Sequence, residues 1–155
     1  MDYTITVTGI DELIKKCNDP TVLGEPMRDF FTKSTLEIQR DTQELTPVDT
    51  GRLRASFTSM VDPSPMPLFG QMGTVVEYAP YVEFGTRPHF PPISALRAWG
   101  ASHGINPYLV ARAIARRGTR ARLMLQTAIN NNMSNLNTWL GEAARSIEDR
   151  WSAKL

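Results

Sequence analysis

The chain has 155 residues and a net charge of +1, a length at which one domain buries about two-thirds of the surface its unfolded form exposes. A core of that size needs no disulfides, and the single cysteine, Cys17, excludes an internal one. There is no Cys/His cluster for structural zinc, no apolar run of about eighteen residues, and no basic-then-apolar leader. These absences predict a soluble chain folding in a reducing cytoplasm, without metal, cofactor or membrane partner, and with Cys17 packed as a small apolar residue.

The near-neutral total hides an asymmetry. Residues 1–77 hold 7 Lys/Arg against 12 Asp/Glu, a balance of −5, whereas residues 78–155 hold 10 against 4, a balance of +6. Between Thr86 and Arg122 there are seven arginines and no acid. Such a stretch suits phosphates or the acidic face of a neighbouring subunit.

The alternating Tyr3–Val7 predicts a strand ended by Gly9. A short helix follows, with Asp11 as N-cap, Leu13, Ile14 and Cys17 on one face, and Ile10 as a staple. Asn18-Asp19-Pro20 breaks the chain, and Gly24-Glu25-Pro26 opens a longer helix. In it Met27, Phe31, Ser34, Ile38, Thr42 and Leu45 recur at steps of three and four, with Phe30 widening the stripe, which predicts about five amphipathic turns. Thr46-Pro47 stops this helix, because proline disfavours helical backbone in the residue before it.

After the turn Val48-Asp49-Thr50-Gly51, Leu53–Met60 alternates and predicts a strand, with a second strand at Gly73–Tyr78. The proline-rich segment 62–67 between them suits only an exposed hairpin loop. Its apolar tip, Met66-Pro67-Leu68-Phe69, fits either a packed loop or an arm reaching a neighbour. Ala79–Gly85 fits one helical turn or a third strand. Two compact helices are predicted at Ser94–Ser102, stopped by Gly104, and at Pro107–Arg117, stopped by Gly118. Another is expected over Thr119–Asn130, with Leu123, Met124 and Ala128 inward, then a polar break at Asn130-Asn131-Asn132. A C-terminal helix marked by Leu136, Leu140, Ala143, Ala144, Ile147 and Trp151 ends the chain. The class is α+β: a small antiparallel sheet packed with a long helix from the N-terminal half and with C-terminal helices, in one domain over 1–155.

Two segments carry a resemblance. Thr46-Pro47-Val48-Asp49-Thr50-Gly51-Arg52-Leu53-Arg54-Ala55-Ser56-Phe57 and Glu77-Tyr78-Ala79-Pro80-Tyr81-Val82-Glu83-Phe84-Gly85-Thr86 together resemble the signature of the tail-component family of long-tailed bacteriophages, typified by the gene-ten product of phage HK-ninety-seven. That signature has the form Pro-x-Asp-Thr-Gly-x-Leu-x-x-Ser, then Tyr-Ala-x-x-Val-Glu-x-Gly-Thr. The order of predicted elements over residues 1–86 agrees, and the likeness is looser over Thr119–Asn130. Residues 88–118 depart from compact members of the family, which pass from Gly-Thr to the last helix through a short loop. Here a helix pair at about 93–117 forms an inserted helical subdomain.

Read physically, the motifs are turns. Asp49 can accept from backbone amides two or three residues on, and Gly51 and Gly85 can take a positive φ. Pro47, Thr50, Tyr78, Ala79, Glu83 and Thr86 complete these structural motifs, and Arg52 and Arg54 would stand on the wet face of a strand, paired with Glu77 or Glu83. No catalytic constellation is evident. Glu77 and Glu83 lack an activating partner, His89 and His103 lack a third ligand, and nucleophile elbows, phosphate loops and dinucleotide fingerprints are missing from the sequence.

The resemblance implies a structural virion protein, not an enzyme: a neck or tail-completion subunit that assembles in the host cytoplasm as a homo-oligomeric ring. Such a ring joins the connector or head-completion protein to the tail-tube or tail-terminator protein. Arg112, Arg116, Arg117, Arg120 and Arg122, with Met66, Leu68 and Phe69, are the candidate contacts to a neighbouring subunit or, sequence-blind, to the genome DNA. The alternative is a DNA-binding regulator, with the 93–117 pair acting as a helix-turn-helix. A third class, a lysis or maturation enzyme, has no residues to name.

Overall fold

The structure is a computed structural model that describes residues 10–67 and 69–153; the strand expected at Tyr3–Val7, the staple of Ile10 and the contact expected of Leu68 lie outside its described residues or side chains. Among the described residues, seven helices and one two-stranded antiparallel sheet make an α+β fold. In order they are α1 (Ile10–Cys17), α2 (Gly24–Leu45), α3 (Arg52–Ala55), β1 (Thr58–Val61), β2 (Gly70–Gly73), α4 (Ala79–Phe84), α5 (Ile93–His103), α6 (Pro107–Arg117) and α7 (Met124–Ala153).

The frame is the pairing of α2 with α7. At 1.5 Å per residue the 30-residue α7 is about 45 Å long, so it outreaches α2 and carries its far end past α1. Ser34 and Thr42 of α2 and Ala143 of α7 are buried, and the Thr42 hydroxyl returns to the Ile38 carbonyl at 2.7 Å, so its burial leaves no unmet donor. The rims are pinned by Lys33, which lies 4.7 Å from the Trp139 ring centre and 3.6 Å from the Glu142 carboxylate, and by Arg150 on Glu25.

The β1–β2 hairpin lies on α2 with Thr58 opposite Gly73 and Val61 opposite Gly70. Arg28 donates to the carbonyls of Asp62 and Ser64 in the connecting loop. A Cβ on Gly24 would stand 2.0 Å from the Pro65 carbonyl oxygen, so only glycine admits this approach. The loop is therefore packed at its base, with Pro67 buried and Phe69 still exposed. Gln39 and Gln43 donate to the Phe57 carbonyl at 2.9 and 3.3 Å. Beneath the hairpin Leu53, Phe57, Val76, Ala79 and Met124 form the core, with Met72 and Val82 packed against it.

Several expectations are corrected. Leu53–Met60 is not one strand: Gly51, at φ 80°, starts the turn α3, closed by Ala55 N–H on the Gly51 carbonyl at 2.9 Å. Leu53 and Phe57 are four apart, so a helical turn buries both as well as an alternating strand would. The second strand is Gly70–Gly73 rather than Gly73–Tyr78, because Thr74 Oγ1 captures the Val76 amide at 3.1 Å and turns the chain out of the ladder. Ala79–Phe84 is helical, ended by Gly85 at φ 72°.

Beyond Thr119 the described chain holds one helix, α7, where two were expected. It begins at Met124, and Leu123 is exposed at φ 52°, not inward. The Asn130-Asn131-Asn132 tract does not break it, because buried Asn132 donates to Asp41 of α2 at 2.5 Å and to the Ala128 carbonyl at 3.0 Å. Asp11 lies inside α1 rather than capping it. Cys17 is exposed, and Leu13 and Ile14 are half exposed. The α1 helix is held instead through Lys16, whose ammonium reaches the Trp151 carbonyl at 3.4 Å and sits 5.5 Å from the Trp151 ring centre. The stops at Gly104 and Gly118 agree with the expectation.

Met124 is 2% exposed at the centre of the core, so Met124→Ala should lower unfolding free energy by about 2–5 kcal/mol in a urea titration; a loss under about 1 kcal/mol would contradict its central packing. Cys17 should react with a thiol reagent in the native protein at a rate unchanged by mild denaturant, which a buried thiol would not do.

Candidate functional site

The carboxylate of Glu83 fixes the geometry of the second motif. It is 7% exposed, and its two oxygens accept the Leu125 and Gln126 amides, each at 3.1 Å. The first turn of α7 has no acid of its own, so α4 supplies the cap from across the fold. The Val82 and Glu83 carbonyls accept the Arg122 amide at 3.0 and 3.1 Å, and the Glu83 carbonyl also takes the Leu123 amide at 3.0 Å. These bonds hold Leu123 in its left-handed conformation. Glu83 therefore pairs with neither Arg52 nor Arg54, both exposed on α3, and Glu77 is exposed with no ion pair among the described residues.

Immediately beyond, Thr86 and Thr119 face each other in an isolated antiparallel bridge, with amide-to-carbonyl bonds of 3.2 and 3.3 Å and a hydroxyl pair at 3.1 Å. Glycines flank it. Gly85 and Gly118 have φ of 72° and 69°, and a Cβ on them would stand 2.4 Å from the Thr119 oxygen and 1.9 Å from the Thr86 oxygen. The bridge closes the base of a lobe formed by α5 and α6, which pack on each other. Inside the lobe Gly104 ends α5, Asn106 Oδ1 caps α6 through the Tyr108 amide at 2.9 Å, and Trp99 stacks on His103 with centroids 4.3 Å apart.

A cleft of about 900 Å³ separates this lobe from the body, lined by Tyr78, Tyr81, Arg87, Trp99, Arg120 and Arg122 among others. A second hollow of about 420 Å³ shares Tyr78, Val82, Trp99 and Arg122 with it and is walled by Pro47, Asp49, Thr50 and Gly51. The two motifs, about thirty residues apart in sequence, thus meet along one groove. The turn itself differs from expectation: Thr50 Oγ1, not Asp49, accepts the Arg52 amide, at 3.5 Å.

The candidate contacts divide. Arg120 and Arg122 line the groove. Arg112, Arg116 and Arg117 stand exposed on α6, the first two on one face, whereas Met66 and Phe69 belong to the hairpin loop. Ala79 is buried in the core. Tyr81, Arg87 and Trp99 were missed as groove residues; the i, i+4 spacing of Trp99 and His103 is the one signal that could have pointed to them. His89 and His103 are both exposed, and among the described residues no group of His, Cys, Asp or Glu could hold a metal. Nor, among them, is any helix long and apolar enough to cross a membrane.

Compared with models of protein families, with curated proteins and with solved structures, the chain matches none.

Glu83→Ala should cost about 1–3 kcal/mol of stability by leaving two amides without acceptors. Glu83→Gln, which keeps an acceptor, should cost less. Hydrogen exchange should show the loss at the first turn of α7, and equal protection there in wild type and Glu83→Ala would refute the capping role.

Proposed function

We propose that the chain is a structural subunit of the neck of a long-tailed bacteriophage, a ring-forming protein of the head-tail junction that performs no chemistry. The observation that carries this reading is the doubled motif, Pro47–Phe57 with Tyr78–Thr86, which resembles the tail-component signature. Its residues are spent on scaffold work: a left-handed turn at Gly51, a helix cap at Glu83, and a pinched bridge at Gly85 and Thr86.

The surface supports the same reading. Val75 is 95% exposed, Phe84 71% and Tyr81 62%, and Phe90, Tyr108 and Leu109 stand open on or beside the lobe. Apolar side chains in such number suit burial against other protein chains. The opposite charges of the two halves suit a head-to-tail contact, which closes into a ring when the rotation per subunit divides a full turn. One face would dock on the connector and the other would cap the tail.

The exposed Arg112, Arg116 and Arg117 also favour contact with nucleic acid, either with the genome in the channel or in the regulator reading. Phosphate contacts by arginine are sequence-blind and weaken steeply with salt, whereas a regulator must prefer one duplex at moderate salt in a gel shift.

In phage carrying Arg116→Glu and Arg117→Glu, infectious particles should fall by about tenfold or more, with filled heads lacking tails visible by electron microscopy. Normal assembly and DNA delivery by that variant would remove α6 from the proposed contacts, and absence of the polypeptide from purified virions would overturn the neck assignment.

A further inference from the structure

The groove between lobe and body has a chemistry that selects its occupant. Among the described residues, Arg87, Arg120, Arg122 and His89 line its larger part with no acid beside them, and Asp49 is the one carboxylate in its smaller part. None of the three arginines forms an ion pair among the described residues. Tyr78, Tyr81 and Trp99 add aromatic wall. A complementary ligand is acidic and carries apolar groups beside its charges.

That combination exists elsewhere on the same chain. On α2, Glu37, Asp41 and Glu44 surround Arg40, placing three carboxylates about one guanidinium. The hydrogen bond that Arg40 donates to Asp41, with the charges of Glu37, Asp41 and Glu44, raises the Arg40 pKa, and three carboxylates against one guanidinium leave the cluster with an acidic excess. Leu36, 54% exposed, lies in line with Arg40 and Glu44 at steps of four on the same helix.

We infer that the groove is a socket for the acidic, leucine-bearing face of α2 from a second copy of this chain. Socket and plug are different surfaces of one molecule, so the contact is heterologous and repeats from subunit to subunit. The inference rests on the ring reading and names the surfaces that would make the ring. It also separates the arginines: Arg87, Arg120 and Arg122 serve the subunit contact, leaving those on α6 for other partners.

The test is a charge swap on the full-length purified chain, followed by sedimentation, with circular dichroism as the folding control. Arg87→Glu with Arg120→Glu should weaken self-association by about 30-fold or more, as should Glu37→Lys with Glu44→Lys. A mixture of the two variants, in which one supplies a basic plug and the other an acidic socket, should associate again. Because Glu37 holds Arg40 closely whereas Glu44 lies 4.0 Å from it, Glu44→Lys alone serves if the double variant misfolds, with a weakening of about fivefold expected.

If Arg87→Glu with Arg120→Glu associates as tightly as wild type, the socket is wrong, while the neck reading still stands or falls on the virion experiment. A wild-type chain that remains monomeric to about 1 mM also overturns the socket. So does a fluorescent single-stranded oligonucleotide that loses binding on the same double substitution while self-association is unchanged, because the groove then belongs to nucleic acid.

Discussion

The buried carboxylate of Glu83 joins parts of the molecule that are far apart in sequence. A helix of 30 residues begins with amides that its own first turn cannot satisfy, and the local sequence offers no acid to meet them. Glu83 supplies both oxygens from α4. Because α4 rests on the core through Ala79 and Val82, and α7 pairs with α2 along its length, this one side chain ties sheet core to helical frame. It also sets where residues 119–123 run, and so where the lobe attaches.

The lobe depends on that placement. Thr86 and Thr119 meet only because α4 delivers one and the start of α7 holds the other. The crossing is so close that neither Gly85 nor Gly118 has room for a Cβ. A pair of helices standing on a two-residue base leaves open space beneath it, and that space is the groove. Its basic character follows directly, since Arg87, His89, Arg120 and Arg122 in its wall come from the acid-free stretch between Thr86 and Arg122.

Acid gathers on the other side of the chain's charge balance, along α2, where Arg40 is outnumbered by its neighbours. Exposed charges of like sign gain little from water-screened partners within the molecule, but in contact with an opposite surface they set orientation and register. Large apolar groups left bare at Val75, Phe84 and Tyr81 add area to such contacts. Charge directs the approach of a partner, and apolar area holds it.

The sequence by itself determined the α+β class, the extent of α2, the two lobe helices with their glycine stops, and the turn at Gly51, because each rests on short-range rules: a 3.6-residue stripe, a proline break, a positive φ. It left the rest open for equally definite reasons. Leu53 and Phe57 satisfy helix and strand spacing alike, and only the position of Gly51 and the core decided for α3. Asn132 reads as a helix breaker until Asp41, 91 residues away, accepts its hydrogen bond. Cys17 reads as core until α1 is held through Lys16 and Trp151, leaving the thiol in solvent. The role of Glu83 and the meeting of the two motifs with Trp99 in one groove were settled by tertiary structure, because a cap supplied from across the fold and a cleft between lobe and body have no spacing along the chain.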